Sequence, residues 1–273
     1  MIHYRQSLLD WPFVPELIQA FKKGWRKNSW CAEPQSNFYF SLHSDNLLHL
    51  QVEKKPETSY YIVDTPYIGV QENRFPRPNK NSLETSYFRI SKNGLHNDLS
   101  KISDDPTRFN QLLDKGIWYA KLINEYEEKE INERGHVLLT PSSELVCQYM
   151  SLKSQRQWII EEALELKKYI NKDINLRLKL DKFAKGEKYK PIQEVLKNVY
   201  ILATNMSLSA IDAIVHGIPI ICDKKHVCYS LSSTTKTIKS INKDDLYTWG
   251  CKVANCQFTL KEISQGVPND YLG

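Results

Sequence analysis

The chain is 273 residues long, 41% hydrophobic and 25% charged, with a formal charge of +5. That length suits one large domain or two small ones, each with a buried core, and the apolar content excludes wholesale disorder. No apolar run reaches the roughly 20 residues of a membrane span, no signal peptide is expected, and 10 glycines are too few for glycine-rich loops to be the main binding device.

In chain order, Val14, Leu17, Ile18 and Phe21 fall at helical spacing and predict a helix over 14–27, with Pro15 tolerated in its first turn. Asn37–Leu42 and Leu47–Val52 read as strands joined by a polar turn. Tyr60–Val63 is a short apolar strand that stops at Asp64-Thr65-Pro66, and 72–86 is a polar loop. Ser86–Ser91 is another strand, closed by Asn93-Gly94. Phe109–Glu133 mixes helix formers with a run of charges.

From here the pattern changes. His136–Thr140 is a buried-type strand ending at Pro141. Gln155–Tyr169 is an amphipathic helix with Trp158, Ile159, Ala163 and Leu166 on one side. Ile174–Leu180 alternates as a strand with Leu176, Leu178 and Leu180 on one face. Val199–Ala203 is a strand, Leu208–His216 a helix and Ile218–Cys222 a strand; Asp244–Ala254 and Thr259–Gln265 are final helices. This alternation predicts a parallel sheet with helices on its faces, and such sheets bind ligands at the carboxyl ends of their strands.

The charge is uneven. Residues 1–135 carry 18 basic and 18 acidic side chains, so the whole excess lies in 136–273. There, 167–197 holds ten Lys and Arg against four acids. Such a run is either a solvated face or a basic wall beside a phosphate-bearing ligand.

Six cysteines, Cys31, Cys147, Cys222, Cys228, Cys251 and Cys256, form no C-x-x-C pair. They read as reduced, buried thiols of a cytoplasmic protein. The alternative is convergence of Cys222, Cys228, Cys251 and Cys256 on a metal, with His226 between the first two.

The most informative segment is Val199 to Asp223. An apolar strand runs into Thr204, Asn205, Ser207 and Ser209, whose side-chain oxygens can cap the next helix. Backbone N–H groups at a helix start suit an anion such as a diphosphate. Asp212 can bond a ribose hydroxyl, Gly217 ends the helix and Pro219 starts the next strand. An ordinary helix start explains the same residues.

This segment resembles the donor-sugar signature of GT-B-type glycosyltransferases, a strand followed by T-x-x-S-x-x-x-(E/D)-A-x-x-x-G-x-P. Thr204, Ser207, Asp212, Ala213, Gly217 and Pro219 match it, with one additional residue between Ser207 and the acid. The resemblance implies that the small residues touch a nucleotide diphosphate, that the acid holds the ribose, and that no metal is needed. Val63-Asp64-Thr65-Pro66-Tyr67, Tyr87-Phe88-Arg89-Ile90-Ser91, Gly135-His136-Val137-Leu138-Leu139 and Asn255-Cys256-Gln257-Phe258-Thr259 resemble small proteins of tailed phages. Those proteins are similar to GT-B enzymes and are suspected to act on modified phage DNA. They carry R-x-H-P where this chain has Arg177-Leu178-Lys179-Leu180, which keeps two cations for phosphate and loses the histidine.

Sugar transfer needs fixed donors and cations at the leaving diphosphate, for which Arg177, Lys179, Thr204, Asn205, Ser207 and Ser209 are candidates. An ion pair with Asp173 or Asp181 would equally explain Arg177. An acceptor base is needed too. Asp64, at the carboxyl end of a strand, is the first choice and His136 the second; turn capping and strand initiation are the bland alternatives. Arg74 and Arg89 could hold acceptor phosphates, although Arg89 could instead pair with a carboxylate on a neighbouring strand. Lys22, Lys23 and Arg26, beside Trp25 and Trp30, form either a DNA-facing patch or one solvated helix face.

Together these readings predict an α/β protein of two compact Rossmann-like halves in a reduced GT-B-like arrangement. The expected parts are an acceptor-side domain over 1–135, a donor domain over 136–255, and a tail over 256–273 that crosses back. The expected function is transfer of a sugar from a nucleotide-sugar, first a UDP-sugar, to a hydroxymethylated base in phage DNA, without a permanently bound cofactor. A glycan acceptor and a non-catalytic nucleotide-binding protein are the alternatives. The expected partners are the nucleotide-sugar and double-stranded DNA, with no membrane, in the cytoplasm.

Overall fold

A computed structural model describes residues 2–3, 14–28, 37–40, 60–64, 66–68, 86–115, 135–178 and 192–272. The elements begin with β1 (Ile2–His3), α1 (Val14–Asn28), β2 (Asn37–Phe40), β3 (Tyr60–Asp64), β4 (Tyr87–Lys92) and α2 (Thr107–Asp114). They continue with β5 (His136–Leu139), α3 (Glu144–Tyr149), α4 (Gln155–Tyr169), β6 (Asp173–Leu176), α5 (Ile192–Leu196), β7 (Val199–Ala203), α6 (Ser209–Val215) and β8 (Ile220–Ile221). The last are α7 (Lys243–Ala254), β9 (Gln257–Thr259), α8 (Leu260–Gln265) and α9 (Pro268–Leu272). They form two compact units, Met1–Trp118 with Gly250–Gly273, and Tyr119–Trp249.

The first unit is built on the sheet β1-β2-β3-β4-β9. The strands β1, β2 and β3 run parallel, and β4 and β9 add antiparallel neighbours, so the sheet is mixed. Tyr60 to Val63 are all buried, as expected of an apolar strand covered on both faces. The amphipathic α1 buries Leu17, Ile18 and Phe21, exposes Lys22 and Lys23, and packs on α8. The chain's last segment returns to this unit: β9 pairs with β4, setting Phe88 opposite Phe258 and Arg89 opposite Gln257. Arg108 fastens that return, bonding Glu262 at 2.5 Å and the Gln257 carbonyl.

The second unit carries the parallel sheet β6-β5-β7-β8. Val137, Leu139, Ile201 and Ala203 alternate onto one face, where Leu166 and Ile170 of the α4 region complete a core with Trp158, Ile159 and Ala163. Ala210 to Val215 are buried all round, so α6 is an internal helix. Gly217 adopts φ 66, the left-handed conformation that lets the chain leave α6 and re-enter the sheet. The α/β class read from the alternating elements is therefore realised.

Several predicted elements change. Of the strand predicted over 174–180, β6 ends at Leu176 and residues 179–180 lie outside the described residues; Leu176 and Leu178 are 48% and 41% exposed, and among the described residues β6 is an edge strand beside β5. The strand over 218–222 is only Ile220–Ile221, and the start of the stretch of helix formers and charges over 109–133 lies in the helix Thr107–Asp114. The helices α3, α5 and α9 and the strands β1 and β9 were not anticipated as elements. Leu47–Val52, and residues 116–133 of that stretch, lie outside the described residues. No helix among the described residues is long and apolar enough to cross a membrane.

Candidate functional site

In the second unit, β6 lies to one side of β5, while β7 and β8 lie to the other. The strand order thus reverses between β5 and β7, and open α/β sheets bind ligands in the crevice beyond the carboxyl ends at such a reversal. Thr140 and Ser142 follow β5 there, and Thr204 and Asn205 follow β7. Thr204 Oγ1 donates to the Thr140 carbonyl at 2.5 Å and accepts from the Ser207 N–H at 3.0 Å. Asn205 Oδ1 accepts from the Ser142 and Met206 N–H groups at 2.8 and 2.9 Å. Ser209 Oγ donates to Thr140 Oγ1 at 2.7 Å and lies 3.0 Å from Ser207 Oγ.

These bonds divide the predicted donor residues. Thr204 and Asn205 are buried and bind the two loops to each other, whereas Ser207 and Ser209 are half-buried and reach the edge. Leu208 occupies the cap position and makes no side-chain bond, and it is Ser207 Oγ that accepts from the Ser209 N–H at 3.3 Å at the helix start. Asp212 is only 4% exposed, inside the all-buried run of α6. Arg177 follows β6 at the same edge, its N–H donating to the Leu139 carbonyl at 2.9 Å. Lys179 lies outside the described residues.

Beside this cluster is a groove of about 560 Å³ lined by Trp158, Glu161, Glu162, Glu165, Asn205 and Asp223, among others. Burial, and then the neighbouring Glu165, push the Glu162 carboxyl above its ordinary value. Four carboxylates against one cation, Lys153, which pairs with Glu161, leave an excess of negative charge, so a phosphate is better accommodated at the neutral hydroxyls of Ser207 and Ser209 than in this groove. An indole, an amide and carboxylate oxygens suit an uncharged, hydroxyl-bearing part of a ligand.

The other candidates are divided between the two units. His136 opens β5 at the amino end of the sheet, opposite Asp173, and burial lowers its proton affinity, partly offset by Asp173. The sheet does not bring it to the carboxyl-edge cluster. In the first unit, Asp64 ends β3 and faces Arg89 across the antiparallel pair, and the two form an ion pair. The Arg89 guanidinium stacks on the Tyr67 ring at 4.9 Å, and Tyr67 OH is 3.0 Å from His96 Nδ1. Burial works against the Arg89 charge, but Asp64 and Tyr67 outweigh it and hold the guanidinium above its ordinary value. Burial also pushes the Tyr67 phenol up. Arg89, proposed from sequence for an acceptor phosphate, is 2% exposed and engaged by Asp64. Lys22 and Lys23 are exposed on α1, Arg26 lies further along the same helix, and Arg74 lies outside the described residues.

Sequence reasoning missed Thr140, Ser142, Tyr67 and His96. Thr140-Pro141-Ser142-Ser143 follows a buried strand with the same small polar residues as 204–209, and that was the available signal. The described cysteines are buried free thiols, and no group of three metal-ligating side chains gathers among the described residues.

No protein-family model matches this sequence, and no curated protein matches it. Among solved structures, the chain is similar to Thermosulfurimonas dismutans KpsC, a beta Kdo 2,4 transferase. The identity is 11% and the TM-score 0.49, over 92% of this chain and 89% of that one.

Proposed function

We propose that the protein is a metal-independent glycosyltransferase that moves a sugar from a nucleotide-sugar, first a UDP-sugar, to an acceptor hydroxyl. The observation that carries this reading is the cluster of Thr140, Ser207 and Ser209 hydroxyls at the point where the parallel sheet reverses its strand order. In the proposed reaction the bond between the sugar and the diphosphate breaks, and a bond to the acceptor oxygen forms. The part-exposed Ser207 and Ser209, with Arg177 at the same edge, stabilise the charge that develops on the leaving diphosphate. Asp64, at a carboxyl end of the first sheet, takes the acceptor's proton. The acceptor we propose is a hydroxymethylated base in DNA, supported by the phage-protein resemblance and the exposed Lys22 and Lys23.

The test is incubation with a panel of labelled UDP-sugars in EDTA, offering hydroxymethylcytosine DNA or oligosaccharides as acceptor. Transfer to the DNA is the expected result. Transfer to an oligosaccharide alone refutes the acceptor and keeps the enzyme class. UDP binding with neither transfer nor donor hydrolysis across the panel refutes the enzyme.

A further inference from the structure

We infer that His226 is a positioning residue, which locks the Thr204–Ser209 loop by holding the Ser207 peptide from behind. The inference rests on the reading that this loop seats the donor diphosphate. The His226 ring is 3% exposed, in the segment that follows β8. Its Nδ1 lies 3.0 Å from the Cys228 N–H, and its Nε2 lies 3.1 Å from the Ser207 carbonyl. A backbone N–H can only donate, so Nδ1 must be the acceptor. A carbonyl can only accept, so Nε2 must carry the proton. The two bonds together select one neutral tautomer.

That ring completes the restraint on Ser207. The Ser207 N–H is taken by Thr204 Oγ1, its hydroxyl by Ser209, and its carbonyl by two donors, the Ala210 N–H at 3.2 Å within the helix start and the His226 ring from the neighbouring loop. A trans peptide carries its N–H opposite its carbonyl. Anchoring the Ser207 carbonyl on the ring therefore turns the Leu208 N–H away from His226. The ring's own segment is braced in turn. The Asp223 N–H donates to the Asn205 carbonyl at 3.2 Å, the His226 N–H donates to the Asp223 carbonyl at 2.8 Å, and Trp249 Nε1 donates to the Val227 carbonyl at 3.0 Å. The loop after β8 thereby fixes the loop after β7 without supplying a group to the ligand.

Three measurements test this. In the ligand-free wild type, nitrogen NMR of the imidazole should show the Nε2–H neutral form at neutral pH; the Nδ1–H form or a charged ring overturns the assignment. UDP binding by calorimetry should weaken about tenfold in His226→Leu, the worth of one lost hydrogen bond, and recover in His226→Gln, whose amide can donate to the same carbonyl. In turnover the loss should appear in the donor KM with kcat kept. Unchanged UDP affinity in His226→Leu, or no recovery in His226→Gln, overturns the inference. If the wild type binds no UDP, the reading of the loop as a donor seat fails. The lock is then judged by amide exchange at Ser207 and Ser209, faster in His226→Leu if it holds and unchanged if it does not. If His226→Leu does not fold, the wild-type tautomer and exchange in His226→Gln, expected near wild type, decide.

Discussion

Replacing Asp64 by Asn separates a structural from a chemical role for the pair Asp64–Arg89. The two side chains are unequally placed: Arg89 is 3% exposed and Asp64 14%. Asp64→Asn therefore leaves a guanidinium that water cannot reach, stacked on Tyr67 and 3.5 Å from His96 Nδ1. Breaking a buried ion pair from one side costs about 3–5 kcal/mol. The Asn oxygen still accepts a hydrogen bond, which places the expected loss near the lower end, about 3 kcal/mol. Arg89→Met leaves a carboxylate that solvent partly reaches, so its loss should be smaller, about 1–2 kcal/mol. Asp64→Leu with Arg89→Met removes both charges and should be more stable than Asp64→Asn alone. Thermal unfolding by circular dichroism reads the order directly, with about 3 kcal/mol corresponding to roughly 6–12 °C. Asp64→Asn within about 0.5 kcal/mol of wild type, or milder than Arg89→Met, refutes the reasoning from burial. The rate is then measured at a temperature where Asp64→Asn stays folded. Loss of turnover with donor affinity kept supports Asp64 as acceptor base, and an unchanged rate removes it from the chemistry.

Gly250→Ala should destabilise by about 1–3 kcal/mol, because a Cβ there would lie 2.5 Å from Phe109 Cζ and Phe109 is fully buried; an unchanged urea midpoint would show that the ring can give way. Glu262→Gln should reduce the acid sensitivity of folding. Burial tends to raise the Glu262 carboxyl, but its bonds to Arg108 and Thr259 outweigh burial and hold it below its ordinary value. The sign follows: the stabilisation is present above the ordinary glutamate range, about pH 4.3, and is lost as pH falls through the lowered folded value. Wild type should thus exceed Glu262→Gln at pH 7 and converge on it in acid, and a gap that stays constant over that range contradicts the assignment. Asp212→Ala should weaken UDP binding about tenfold if the carboxylate holds the ribose. Since Asp212 is 4% exposed, unfolding is followed in parallel, and lost stability with unchanged affinity makes it a core residue only.

What could be read from sequence follows the range of the interaction. Gln155–Tyr169 and Val199–Ala203 were legible to the residue because their causes are local: apolar spacing in both, and for the helix Ser154, whose side chain accepts from the Gln157 N–H. Asp64 and Arg89 were each legible as unusual charges beside apolar strands, and a strand carboxylate was foreseen as one partner for Arg89. That this partner is Asp64 depends on the β3–β4 register, which sets residues 25 positions apart opposite each other. The same distinction limits the motif at 199–223. Sequence supplies four small polar residues after a strand and treats their oxygens as equivalent. The sheet order then places β5 beside β7, and partners from 63 and 64 positions away claim Asn205 and Thr204 internally. Only Ser207 and Ser209 keep part of their surface. Thr204 donates its one hydroxyl proton to the buried Thr140 carbonyl and cannot also donate it to a phosphate without breaking that loop. The donor contacts are therefore fewer than the motif suggests, and Thr204 and Asn205 should act on binding through the shape of the loop rather than by touch.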